Sequence, residues 1–324
     1  MCKTIKNNSP IYIYCQYLYH SLICYGFRVK NQEIEWLLSE KYQGVESDAF
    51  LADCVKLAAG VPLAYLIGHV PFLDCTIYLD SHPLIPRPET EYWVELVITE
   101  IKKEISLVFA SVARQSTTDK KGNVDCHVIP LRSAPRKDAH DANSNLRDSI
   151  PKILDLCSGS GAIGVAVAKA LPSAHVTFAE LDNAHLPTIE KNILSNLSVN
   201  RKVGPEQYSV LTSNLFEGLE RDLRFDYILT NPPYIDVEAN TVDANVTEHE
   251  PHLALFGGVA GMELIARIIN EAPLYLNPNG QLWIEHEPAQ VAVITTLAQE
   301  HGFSVITHPD QYGVPRFSVL TMAQ

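Results

Sequence analysis

"KILDLCSGSGAIG", residues 152–164, decides the fold. The five residues "KILDL" read as a strand that ends on Asp155 and Leu156. The chain then passes through Cys157, Ser158, Gly159, Ser160 and Gly161 into a stretch with helical spacing that contains Gly164. Glycines at a strand-to-helix turn let a ligand approach the backbone closely, and the helix start presents free N–H groups. Downstream, "HVTFAE", "YSVLTS", "FDYILTN" and "QLWIEHE" read as further strands, separated by helical stretches near 161–171, 182–197, 260–274 and 288–301. This alternation predicts an open α/β sheet wound on both faces. "FSVITHPD" and "RFSVLTM", joined by a short turn at 311–315, are expected to form an antiparallel pair closing one sheet edge.

Upstream the pattern changes. Residues 11–26, 31–41 and 46–59 carry helical apolar spacing, with Gly26, Gly44 and Gly60 as stops. They predict a helical module over 1–70. Residues 71–88 read as a β-hairpin and linker: "FLDCTIYLD" alternates like a strand, and three prolines in "HPLIPRPETE" enforce an extended path. Helical spacing resumes at 89–103, opening the α/β domain at 89–324. Between 105 and 150 periodicity is lost and Ser, Asp, Asn, Arg and Lys accumulate, the composition of a disordered insertion.

The 324 residues, 46% of them hydrophobic and 19% charged, suit a globular enzyme rather than a disordered chain. A net charge of −13 opposes a phosphate backbone, so no direct nucleic-acid partner is expected. Seven scattered cysteines without a C-x-x-C pair point away from a disulfide framework or zinc site and toward a reducing cytoplasm. No apolar run has the ~18 residues of a membrane span. A monomer is expected.

Three residues at strand ends suggest what the glycine turn holds. Glu180 closes the second strand about 20 residues after the turn, where an acidic side chain accepts hydrogen bonds from ribose hydroxyls. Asn214 closes the third, where its amide either reads an adenine edge or forms the turn. Asp155 would repel a pyrophosphate but attract an ammonium, which favours S-adenosylmethionine, yielding S-adenosylhomocysteine, over a dinucleotide. No metal is expected.

The fourth strand runs into "ILTNPPYID", residues 228–236, on the same sheet edge. An amide or aromatic amine nitrogen is a poor nucleophile because its lone pair is delocalised. The side-chain oxygen of Asn231 and the backbone carbonyl of Pro232, aimed by the extended geometry that Pro232 and Pro233 impose, would accept both N–H bonds of such an NH₂ group. They would orient it for in-line attack on a methyl donor and stabilise the developing positive charge. Tyr234 offers a flat face for the planar acceptor.

"NPPYID", "DLCSGSGAIG", "LIPRPETE" and "GVPLAYLIGHVPF", with "EHEPHLALFGGVAGMELIARII" and "DQYGVPRFSVL", together resemble the HemK/PrmC peptide chain release factor N5-glutamine methyltransferases, over roughly residues 55–104 and 151–322. The resemblance implies a class I S-adenosylmethionine-dependent methyltransferase, Rossmann-like, with a mostly parallel seven-stranded sheet behind a helical N-terminal domain, here 1–70, that docks the substrate. It implies transfer to the glutamine of the release factors' Gly-Gly-Gln tip. Carried over, Cys157 to Gly161 lie along the donor's methionine part, Glu180 on its ribose, and Asn214 with Leu215 beside its adenine. Asn231 touches donor and substrate, and Asn231 to Tyr234 clamp the substrate amide. Arg87, Glu89 and Glu91 line the site between domains. Cys157 stands where the family commonly has glycine, and Glu180 where it has aspartate. The sister group that methylates a ribosomal-protein glutamine usually reads Pro-Arg-Ser-Pro where this chain has "PRPET". Adenine-N6 nucleic-acid methyltransferases use the same four residues on a flipped base, but the acidic balance opposes them.

Overall fold

The computed structural model describes residues 31–118, 150–197, 207–238 and 244–322. The expected helix at 11–26 and the part of the expected insertion at 119–149 lie outside them. Three helices open the described chain: α1 (Asn31–Glu40), α2 (Asp48–Ala58) and α3 (Leu63–Ile67). Ser47 caps α2 by accepting from the Phe50 N–H. The three pack Ile34, Leu37, Phe50, Cys54, Leu57 and Leu66 into a core of their own.

A hairpin of β1 (His69–Phe72) and β2 (Cys75–Tyr78) follows. Its turn falls at Leu73 and Asp74, within the run that alternates as one strand in the sequence. Leu73 adopts φ +49°, a conformation a leucine does not advertise. Asn192 and Asn196 bind the β2 backbone through both oxygen and nitrogen, fastening the hairpin to the α/β unit.

α4 (Pro88–Thr118) is longer than expected. Apolar periodicity fades near 105, yet the run to 118 contains neither glycine nor proline, so nothing in it breaks the helix. Residues 105–118, expected to belong to a disordered insertion, are therefore helical.

The remaining elements alternate as the sequence predicts: β3 (Lys152–Leu156), α5 (Ala162–Ala170), β4 (His175–Glu180), α6 (Leu186–Leu197), β5 (Tyr208–Thr212), β6 (Phe225–Thr230), then two short helices α7 (Ala244–His249) and α8 (His252–Leu255). α9 (Glu263–Glu271), β7 (Leu276–Glu285), α10 (Val291–Glu300), β8 (Phe303–Pro309) and β9 (Pro315–Met322) follow. The seven strands run in the order β5-β4-β3-β6-β7-β9-β8. Only β9 opposes the others, lying between β7 and β8. Strand order reverses between β3 and β6, and ligands bind open α/β sheets at the carboxyl end of such a reversal.

Strand pleating divides the core. Ile153, Phe178, Tyr227, Leu229 and Trp283 face one layer with α4 and α5. Leu154, Leu156, Ile228, Leu282 and Ile284 face the other with α9 and α10. By the same alternation Asp155 and Glu285 point to the α4–α5 side.

Candidate active site

The turn after β3 is built by left-handed backbone at Cys157 (φ +61°), Gly159 (+54°) and Gly161 (+77°). Gly164 has a different reason to be glycine: a Cβ there would stand 2.3 Å from the Phe178 ring and 2.8 Å from an Asp155 oxygen. Its N–H donates to Asp155 Oδ2 at 2.9 Å, tying the first turn of α5 to β3. At Gly159, by contrast, the nearest heavy atom to a new Cβ is 4.0 Å away, so the turn is open where a ligand would lie.

Asp155 has no solvent exposure, and its Oδ1 has no hydrogen-bond partner among the described residues. Burial pushes its pKa well up; the Gly164 N–H opposes this and the Glu180 charge reinforces it. An orphaned buried carboxylate oxygen beside an open glycine turn suits a ligand that carries an ammonium, and S-adenosylmethionine fits on that ground. The Cys157 thiol is pushed up to about 12, chiefly by burial, and stays protonated and unreactive at neutral pH.

Glu180 is placed where the sequence puts it and is already engaged. Oε2 accepts from Gly159 N–H at 2.7 Å and Oε1 from Asp182 N–H at 2.9 Å. The carboxylate thus pins the glycine turn and keeps spare lone pairs for a hydroxyl. Asn214 is half-buried, donates to Glu217 at 3.1 Å and accepts from Arg267 at 3.4 Å. Leu215, at φ +52°, buries its side chain in the core with Phe216, so what it presents toward the strand ends is backbone.

At the end of β6, Pro232 and Pro233 are buried while Asn231 and Tyr234 are half-buried. The loop is held from behind by the segment after α8. Ile235 exchanges backbone bonds with Leu255 and Gly257, both 2.9 Å, and the Gln290 amide donates to the Tyr234 carbonyl at 2.8 Å and the Ala260 carbonyl at 3.0 Å. In front, Asn231 Nδ2 donates to Thr90 Oγ1 at 3.1 Å, and the Tyr234 hydroxyl to Glu285 Oε1 at 3.0 Å. Glu285 Oε2 accepts from Thr90 at 2.7 Å and from the Trp93 indole at 2.8 Å. Burial raises the Glu285 pKa, against the pull of these three donors. Tyr234 is pushed well above the usual phenol by burial and by Glu285.

Arg87, Glu89, Tyr234, Glu285 and Arg316 line a cleft of about 260 Å³ against this loop. Arg87 is paired at 2.6 Å with Glu250, which also accepts from Ile85 N–H, so it braces the segment between α7 and α8 against the linker. Glu91, expected to line the site, accepts instead from Leu73 N–H in the hairpin turn at 2.6 Å. Thr90, Glu285 and Gln290 escaped the sequence reading. The signal for Glu285 was present: an acid ending a β-strand on the edge that carries Asn231.

A methyltransferase small domain model matches residues 143–254. A release factor glutamine methyltransferase of Rhodopirellula baltica is 35% identical over 244 residues, covering 75% of this chain and 67% of that protein. One from Streptococcus pneumoniae is 30% identical over 292 residues, covering 89% and 85%. A bifunctional methyltransferase of Rickettsia felis is 29% identical over 281 residues; the match covers 86% of this chain and about half, 49%, of that longer protein. Among the described residues no helix is long and apolar enough to cross a membrane, and no His/Cys/Asp/Glu group is placed to hold a metal.

Proposed function

The chain belongs to the release factor glutamine methyltransferases, and on that premise we propose that its Asn-Pro-Pro-Tyr loop carries the N5-methylation of the glutamine in a release factor's Gly-Gly-Gln motif. One observation carries the assignment of the loop. At the carboxyl end of β6, beside the strand reversal, the Asn231 amide donates from its nitrogen to Thr90, and its oxygen accepts no hydrogen bond among the described residues.

Bound at the glycine turn, S-adenosylmethionine supplies an electrophilic methyl group on a sulfonium. The residues of the turn that would hold it are Asp155 and Cys157 to Gly161, with Glu180 serving the ribose and Asn214 and Leu215 the adenine. Asn231 Oδ1 and the Pro232 carbonyl accept the two N–H bonds of the glutamine side chain. That fixes the plane of the amide and lowers the energy of the nitrogen as it gains positive charge. No base is needed before transfer, since the proton leaves once the nitrogen is cationic. Tyr234, its hydroxyl held by Glu285, keeps its ring fixed as a wall for the planar amide. Buried Pro232 and Pro233 contribute no N–H that would compete for the acceptor oxygens.

Replacing Asn231 by Ala removes one of the two acceptors. Turnover on a release factor should fall by about 10² or more, with donor binding largely kept. Labelled methyl transfer to the intact factor and to one with Gly-Gly-Ala measures both site and acceptor. Turnover within a few-fold of the parent, or label that survives the Gly-Gly-Ala change, would refute the assignment.

A further inference from the structure

Asparagine presents a carbonyl on one side and an NH₂ on the other, and only the carbonyl serves a substrate that itself brings two N–H donors. A 180° flip of the Asn231 amide would set donor against donor. Something must therefore fix which way round it sits, and the network on α4 and β7 contains it.

Trp93 Nε1–H can only donate, so Glu285 Oε2 at 2.8 Å is an acceptor. Thr90 Oγ1, 2.7 Å from the same oxygen, spends its single proton there. Toward Asn231, 3.1 Å away, the hydroxyl then has only lone pairs to offer, and the group facing it must be Nδ2. With Glu285 ionised, both of its oxygens accept, Oε1 from Tyr234 and Oε2 from Thr90 and Trp93, so Thr90 has no proton left for Asn231. Thr90 and Glu285 are both nearly inaccessible to solvent, at 3% and 1% exposure, so water is poorly placed to substitute for either partner. The polarity of the chain is set from the indole outward, through carboxylate and hydroxyl to the amide.

We propose that Thr90, oriented by Glu285, is the positioning residue that locks the Asn231 amide with its oxygen toward the substrate nitrogen. It touches neither donor nor acceptor and acts through Asn231. The proposal rests on Asn231 being the acceptor for the substrate amide.

Thr90→Val keeps the shape and removes the hydroxyl; Thr90→Ser keeps the hydroxyl. In methyl transfer to a release factor, the valine variant should lose about tenfold or more in kcat, with KM for the factor and donor affinity shifted less than about threefold. The serine variant should stay within about threefold of the parent. If the valine variant does not fold, Thr90→Ala against Thr90→Ser carries the same comparison, since both lose the methyl and only one loses the hydroxyl. Placed on Asn231→Ala, the Thr90 change should cost nothing further, because its target is gone. Parental kcat in the valine or alanine variant, failure of serine to rescue, or an equal loss on top of Asn231→Ala would each overturn the positioning role. If Asn231→Ala itself retains turnover, the clamp is what fails.

Discussion

Gly261 lies directly behind the carbonyl of Tyr234, and the placement of the Asn-Pro-Pro-Tyr loop depends on no side chain standing between them. Its φ is +66°, and a Cβ there would stand 1.8 Å from the Tyr234 carbonyl oxygen and 2.6 Å from the Gln290 side-chain nitrogen. The first neighbour is backbone, so no rotamer change relieves the overlap. One side must retreat by roughly 1.2 Å before the 3.0 Å limit of real Cβ contacts is regained. The 255–263 segment is fixed by its own bonds to Ile235, so the Asn-Pro-Pro-Tyr loop shares in the movement. A displacement of about 1 Å at reacting groups costs on the order of 10²-fold in rate, and left-handed alanine adds about 1–2 kcal/mol of strain.

Gly261→Ala is therefore expected to lower kcat by about 10² with donor affinity little changed, since the atoms nearest a Cβ at Gly261 belong to Tyr234 and Gln290 rather than to the glycine turn after β3. Gly302→Ala is the control: its φ is +81° but a Cβ would have nothing within 4 Å, so it carries the strain without the overlap. Initial rates of labelled methyl transfer, calorimetric donor binding and urea unfolding separate the effects. If folded Gly261→Ala turns over within about threefold of the parent, the loop is not positioned by this packing. If Gly302→Ala loses activity equally, strain alone accounts for the effect.

Glu180→Ala releases the Gly159 N–H, by which the carboxylate pins the glycine turn, and the Asp182 N–H beyond β4, and charge-assisted bonds of this kind are worth about 1.5–3 kcal/mol each; donor affinity should fall at least tenfold, and an unchanged calorimetric Kd would contradict the pinning role. His286 is fully buried and donates from Nδ1 to the Glu287 carbonyl, so its Nε2 accepts from Ser318, and burial lowers its pKa from 6.5 to about 4. Its folded pKa lies below the unfolded value, so its stabilising contribution is whole above about pH 6.5 and is lost as pH falls toward 4, by roughly 3 kcal/mol. Urea unfolding between pH 7.5 and 4.5 should show this extra loss relative to His286→Gln; parallel curves would refute it.

The parallel strands were legible because strands buried on both faces are apolar throughout, and "KILDL", "HVTFAE" and "FDYILT" coincide with β3, β4 and β6. The Asn-Pro-Pro-Tyr loop was legible because rigid and polar residues end such a run. Length was harder. α4 continues to Thr118 on propensity after its apolar periodicity has gone, and periodicity was the signal being read. The roles of Glu180 and Leu215 were blurred for a different reason. A strand-end carboxylate that pins a turn and one that holds a ribose look alike in sequence, and nothing local says that Leu215 folds its side chain inward.

The hardest part to read was the support of Asn231, because its parts are far apart in sequence and are united by parity. Thr90 and Glu285 are separated by 195 residues. Trp283 and Glu285 share a face of β7 because they are two residues apart, and Thr90 and Trp93 share a face of α4 because they are three apart. When α4 packs its tryptophan against the Trp283 layer, its first turn is carried onto the end of β7, and the carboxylate there meets a hydroxyl and an indole together. These converging donors offset the cost of burying the acid. The same convergence leaves Thr90 with a lone pair directed at Asn231, so the packing of two tryptophans and the orientation of the amide follow from a single register.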